Sequence, residues 1–178
     1  MFKVSMTYEK GKLINGYVND PDDNGGETVY GISRKAFPKL KVWASLDGLK
    51  GIVAKRGYEI PEDEMDEIKN VYYKQFYVKC GCDGFNDDAL AMQVFDFAIN
   101  AGVSRAVKTL QSMMHITVDG ICGKQTVTTA NVRHTQSVRE DYRKKRIEYY
   151  EAISAKGNNK KYLKGWVNRA KNCDKSFI

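Results

Sequence analysis

Apolar residues recur at helical spacing through most of the second two thirds of the chain. Met65, Ile68, Tyr72 and Phe76 form one such stripe. Pro61 stands ahead of it in the position of a first-turn proline, and Glu62, Asp63 and Glu64 follow where negative charge favours a helix N-terminus. Residues 87–101 form the most apolar stretch, with Leu90, Val94, Phe95, Phe97, Ala98 and Ala101, closed by Gly102. Further helices are predicted from Ser104 to Met114, with Val107 and Leu110 inward, and from Gly123 to Asn131, after a turn at Asp119-Gly120. Ser137-Val138-Arg139-Glu140 has the form of a capping box and predicts the start of a long helix that Gly157 ends. A last helix carries Tyr162, Leu163, Trp166, Val167 and Ala170.

The first third differs. All three prolines lie there, and the run Asn19-Asp20-Pro21-Asp22-Asp23-Asn24-Gly25-Gly26 is turn chemistry. The pairs Tyr17-Val18 and Tyr30-Gly31-Ile32 flank it and fit a small hairpin or structured loop. Residues 1–9 suit a short helix, and Ser33 to Pro38 a helical start that the proline ends. The class is therefore mainly α, with a loop or β-hairpin region near the N-terminus.

The length of 178 residues and 42% hydrophobic content suffice for a real core. A net charge of +7 suits a polyanionic partner, whether nucleic acid, anionic lipid or cell wall. No recognition motif or long Lys/Arg run supports nucleic acid. The first residues lack the apolar stretch of a signal peptide, and no 18-residue apolar run exists to insert in a membrane. The four cysteines lack zinc-ligand spacing and read as reduced thiols, so no metal is expected.

A glycosidase needs one carboxylic acid that stays protonated and a second polar group for charge or water. Glu9, at the end of the first apolar segment, has the placement of an acid on a helix end. Asp20, Asp22, Asp23, Glu27 and Thr28 crowd the loop that follows. Any one aspartate in such a Pro/Gly turn usually makes an Asx-turn or sits in solvent.

The run from Tyr17 to Thr28, followed by Tyr30-Gly31-Ile32-Ser33, resembles the signature region of glycoside hydrolase family 108. These are phage and prophage N-acetylmuramidases of the lysozyme-like superfamily. Val94 to Gly102 with Ala106 and Leu110-Gln111 resembles the family's peptidoglycan-binding segment. Asp119-Gly120-Ile121-Cys122-Gly123-Lys124-Gln125-Thr126 matches its D-G-x-x-G-x-x-T pattern, and Arg146, Tyr149, Tyr150 and Gly165 to Arg169 match its closing helices.

The resemblance implies a lysozyme-like fold, with a catalytic region over 1–86 and a peptidoglycan-binding-type region over 87–178, packed as one globular unit. It implies cleavage of the β-1,4 bond between N-acetylmuramic acid and N-acetylglucosamine without metal or organic cofactor. The family's catalytic Glu, counted back without a gap from Tyr17, falls on Ile14, which carries no proton. An insertion spanning Lys10 to Ile14 moves that role to Glu9, and Gly11 lets such a loop bulge. Loss of the glutamate, leaving a wall-binding protein that does not cut, is the alternative. Asp23 and Thr28 match the motif's Asp and Thr, which help hold water or stabilise charge. Glu27 falls at a variable position and reads as solvated.

Tyr30 either stacks on a sugar or packs, and Asn100 either faces the cleft or caps a helix. Asp119 and Thr126 contact glycan or stem peptide, or serve only their turn. The expected partner is bacterial peptidoglycan, met by a monomer. Synthesis in the cytoplasm without a signal then requires release through a holin or a dedicated secretion route, with action in the periplasm or cell wall.

Overall fold

A computed structural model describes residues 16–19, 26–133, 135–155 and 157–175. The expected helix over residues 1–9 lies outside them. The chain forms two compact units, 1–72 and 73–178, where the family resemblance implies a division at 86/87.

In the first unit, β1 (Tyr17–Val18), β2 (Thr28–Val29) and β3 (Ile32–Ser33) make an antiparallel meander in that order. Tyr17 pairs with Val29 and Val29 with Ile32; Val18 pairs with Thr28 and Thr28 with Ser33. Side chains alternate between faces of a strand, so Tyr17, Val29 and Ile32 enter the core while Val18, Thr28 and Ser33 share the other face. The β2–β3 turn is Tyr30-Gly31, both at positive φ (47° and 80°), as a two-residue type I′ turn requires. Tyrosine is an unusual choice there. It is held by its N–H, which donates to the Gly16 carbonyl at 2.5 Å, and by its carbonyl, which accepts from the Tyr72 hydroxyl. Gly16 has to be glycine, because a Cβ there would stand 2.7 Å from the Tyr30 ring.

Three helices follow. α1 (Lys41–Asp47) buries Val42, Trp43 and Leu46, and the Trp43 indole donates to the Phe37 carbonyl at 2.7 Å. α2 (Gly51–Gly57) buries nothing among the described residues. α3 (Glu62–Tyr72) follows Pro61, as the acidic first turn predicts, and buries Ile68 and Tyr72. The Ser33–Pro38 segment makes only one helical turn, Phe37 N–H to the Ser33 carbonyl. The helix that buries Trp43 begins beyond the proline, in a region whose Pro/Gly content reads as loop. Burial of one large aromatic face outweighs local propensity there.

In the second unit, the chain runs through a π-helical turn at Tyr73–Tyr77 and a 3₁₀ turn at Cys82–Gly84 into α4 (Asp88–Ala101). Asp87 caps α4 by accepting from Ala89 and Leu90 N–H groups, and Gly102 closes it at φ 87°. Every residue from Ala89 to Ala98 is buried, so α4 is the central helix of this unit. Around it stand α5 (Val103–Met114), α7 (Thr135–Ser154) and α8 (Leu163–Asn172), with α6 (Lys124–Val132) against α5 and α7. α7 has already begun at Thr135, so Ser137 lies inside it and the capping-box sequence does not open the helix. The helix also stops at Ser154, and a 3₁₀ turn at Gly157–Tyr162 leads into α8.

The core of this unit is aromatic and ionic together. Phe97 meets Tyr142, Tyr149 and Tyr150 edge-on, and Trp166 stacks on Tyr150 with centroids 5.5 Å apart. Asp96, on α4, accepts from Arg146 of α7 and, at 2.7 Å, from Arg169 of α8. Arg146 is fully buried and also reaches the Cys173 thiol at 3.0 Å. Burial opposes the Arg146 charge, but Cys173 and Asp96 outweigh it and leave the pKa above its ordinary value. The four cysteines are free, and no described helix is long and apolar enough to cross a membrane. Replacing Asp96 with Ala strands a buried guanidinium, so we expect a loss of about 3–5 kcal/mol in unfolding free energy. Urea denaturation measures it, and an unchanged midpoint would contradict the assignment of this ion cluster as a structural tie.

Candidate active site

Of the residues expected to carry chemistry, Thr28 lies in the small sheet, and one carboxylate, Glu27, organises that sheet. Glu27 precedes β2, with a side chain only 16% exposed. Its Oε1 accepts from the Tyr17 hydroxyl of β1 at 2.9 Å, and its Oε2 from Arg34 Nη1 at 2.9 Å. Lys55 Nζ, from α2, stands 3.5 Å from Oε1 and lies over the Tyr17 ring. Arg34 continues outward to both oxygens of Asp47 at 2.6 and 2.5 Å and lies over Trp43. The main chain repeats the tie, with Arg34 N–H donating to the Glu27 carbonyl at 2.9 Å. Glu27 thus joins β1, α2 and the segment after β3. The sequence reading as a solvated residue is corrected: a variable motif position hid a half-buried anchor, whose only signal was an arginine seven residues on.

Partial burial pushes the Glu27 carboxyl up. Hydrogen bonds from Arg34 and Tyr17 and the charges of Lys55 and Arg34 push it down further, so it ends below its ordinary value. Glu27 is an anion at neutral pH and has no proton to donate to a leaving oxygen.

Thr28, next to Glu27, is the first residue of β2. It shares the outer sheet face with Val18 and Ser33, opposite the buried Tyr17, Val29 and Ile32. Tyr30 is half-buried in the adjoining turn, its backbone fixed at both ends. Thr28 and Tyr30 are therefore brought together on one hairpin. Glu9 and Asp23 lie outside the described residues.

The remaining candidates belong to the second unit. Asp119 is exposed, and its Oδ1 accepts from Ile121 N–H and Gln111 Nε2, both at 2.8 Å. Those bonds, the Ile121 N–H foremost, hold its carboxyl below the ordinary value. Gln111 is 1% exposed and ties the whole loop. Its Nε2 also donates to the Ile121 carbonyl and to Thr126 Oγ1, while its Oε1 accepts from Gly120 N–H. Thr126 is 3% exposed, so its hydroxyl serves the loop's interior, while Ile121 and Val118 stand outside at 70% and 47%. Gly120, at φ 83°, leaves no room for a Cβ, which would meet Ser104 Oγ at 2.7 Å. Asn100 is exposed near the end of α4 and donates to the Asp96 carbonyl at 2.6 Å. Gln111, which the sequence shows only as part of the segment ending in Leu110-Gln111, is the residue that organises this loop. Among the described residues, no three His, Cys, Asp or Glu side chains gather to hold a metal ion.

Residues 11–102 match the family described as glycosyl hydrolase 108. The chain belongs to that family. Residues 105–171 match a second family, described as a predicted peptidoglycan domain. The structure of Brucella abortus SagA is similar over 99% of this chain and 90% of its own, with a TM-score of 0.69 and 23% identity, a likeness of fold. No curated protein matches the chain. Membership in glycosyl hydrolase family 108, with a peptidoglycan domain at the C-terminal side, places the protein in a peptidoglycan hydrolase family and supports peptidoglycan as its partner. The Gly-rich run and the D-G-x-x-G-x-x-T loop, which carry the resemblance in the sequence, fall in the two matched segments in turn.

A lowered carboxyl pKa means that the native state binds the Glu27 proton less readily than the unfolded chain. Its stabilisation is complete above the ordinary value of 4.5 and is lost as pH falls through the native value. We expect the urea midpoint of the wild type to fall more steeply than that of Glu27→Gln between about pH 5 and about pH 3. Parallel curves would show that the ion pairs at Glu27 carry no stability.

Proposed function

We propose that this protein cleaves the β-1,4 bond between N-acetylmuramic acid and N-acetylglucosamine in peptidoglycan, with Glu9 as the general acid. The observation that carries the reading is the family match over residues 11–102, which spans the motif from Tyr17 to Ser33. Asp23 and Thr28 hold the water or the developing positive charge. Support comes from the sheet, which sets Thr28 on its outer face at the chain's return from the Asp/Gly-rich run. Because Glu27 is committed as an anion to Arg34, Lys55 and Tyr17, the acid has to come from elsewhere. Tyr30, in the turn that follows β2, offers a ring for a sugar. In the second unit, Asn100 and the Asp119 loop contact the wall, with Thr126 acting through the loop's shape. Action follows release to the wall through a holin or a dedicated secretion route.

A second reading, a wall-binding protein that does not cut, is favoured by Ile14. It occupies the ungapped position of the family's glutamate, and the match begins at Gly11, after Glu9.

Release of reducing ends from purified peptidoglycan separates the two. General acid catalysis contributes about 10²–10⁴-fold. Glu9→Gln is expected to lose at least about 100-fold in rate while still sedimenting with sacculi. Undiminished activity in Glu9→Gln removes Glu9 from the mechanism. Sedimentation with no reducing ends from the wild type establishes the non-cutting reading.

A further inference from the structure

Three of the four cysteines stand together in the second unit. Cys80 and Cys82 flank Gly81 where the 3₁₀ turn begins, and both are buried. Gly81 takes φ 66°, and across that turn the Cys80 and Cys82 thiols hydrogen-bond. Cys122 is half-buried in the Asp119–Thr126 loop and presses its sulfur on Gly81, where a Cβ would stand 2.6 Å from Cys122 Sγ. Neighbouring Cα atoms are about 3.8 Å apart, so Cys122 stands about one residue's width from each member of the pair. α6 holds the two segments in this register. Val127 lies against Gly81 and Gly84, and Asn131 accepts from the Asn86 N–H at 2.9 Å while donating to the Gly84 carbonyl at 2.8 Å. The Cys173 thiol is engaged elsewhere, by Arg146 of α7. Among the described residues no three such groups converge to hold a metal ion, so the chemistry open to these thiols is pairwise.

We infer that Cys122 and the Cys80–Cys82 pair form a redox clasp, in which an external disulfide oxidises Cys122 and one cysteine of the pair to a protein disulfide. Cys122 is the one of the three that solvent reaches, so it reacts first. Its thiolate attacks one sulfur of the external disulfide, the S–S bond breaks, and half of the oxidant leaves as a thiol. The thiolate of Cys80 or Cys82 then attacks the Cys122 sulfur and displaces the other half, also as a thiol. Two protein thiols lose two electrons and two protons, and the external disulfide takes up both. The link closes a loop of about 40 residues and ties the Asp119–Thr126 loop covalently to the turn that leads into α4, which restricts the unfolded chain. Thiols stay reduced in a cytosol and oxidise outside it, so the clasp closes on arrival at the wall. That timing rests on the wall-directed reading; the clasp itself does not, and it is independent of whether Glu9 cuts glycan. Burial foremost, then the neighbouring Cys80, Asp83 and Asp119, push the Cys122 thiol up to about 12. Only the thiolate attacks, so closure is slow at neutral pH and quickens as pH rises.

The test is oxidation of the full-length chain by oxidised glutathione at about pH 8.5, followed by alkylation, tryptic digestion without reduction and mass spectrometry. Cleavage after Lys79, Arg105, Lys108 and Lys124 puts Cys80 and Cys82 on one peptide and Cys122 on another. Those two peptides are expected to be joined, with Cys173 recovered alkylated. The urea midpoint of the oxidised protein is expected to rise and to return on treatment with dithiothreitol. Cys122→Ser is expected to lose the rise, with circular dichroism checking that it is folded; the peptide map of the wild type decides the link whether or not that variant folds. None of these readouts needs glycan to be cleaved. Cys122 recovered alkylated or carrying only glutathione, a disulfide confined to Cys80 and Cys82, or joined peptides with an unchanged midpoint would overturn the proposal.

Discussion

The sheet of the first unit depends on the ionised carboxylate of Glu27. Three strands of two residues each share too few backbone hydrogen bonds to stand alone in water. Glu27 supplies what the ladder lacks: it fastens β1 through Tyr17, the segment after β3 through Arg34, and α2 through Lys55. The same ties set the register that turns Tyr17, Val29 and Ile32 inward and Thr28 outward. A carboxylate recruited as an anchor is withdrawn from acid chemistry, because the cations that hold it also keep it ionised.

The second unit solves a related problem differently. Its central helix is buried over ten consecutive residues, yet one of them is an aspartate. Asp96 is tolerated because Arg146 and Arg169 arrive from two other helices, so a single buried charge specifies how three helices meet. Gln111 performs the neutral version of this at the Asp119 loop. One buried amide satisfies a carboxylate, a carbonyl, a hydroxyl and an N–H, and leaves Val118 and Ile121 outside on a fixed loop.

Much of the fold was legible in the sequence where periodicity and punctuation agreed. Pro61 with its acidic turn, Gly102 and the glycine of Asp119-Gly120 mark boundaries that the structure keeps. The apolar run from Leu90 to Ala98 marks the centre of its unit. Local signals failed where tertiary burial decided the matter. α1 lies in a Pro/Gly-rich region and forms with Val42, Trp43 and Leu46 buried. Ser137 and Glu140 spell a cap, yet the helix starts earlier. Of the candidate site, a hairpin around the Asp/Gly-rich run was legible as turn chemistry between apolar pairs, but Tyr30-Gly31, read as part of one of those pairs, forms the turn between β2 and β3. The anchoring roles of Glu27 and Gln111 were not legible, since each depends on partners distant in sequence and on burial that no local pattern encodes.

Purified peptidoglycan digested by the wild-type protein, reduced with borohydride and analysed by mass spectrometry identifies which sugar acquires the new reducing end. Fragments ending in reduced N-acetylmuramic acid are expected. Fragments ending in reduced N-acetylglucosamine, or glycan strands left intact, would contradict the proposed cleavage.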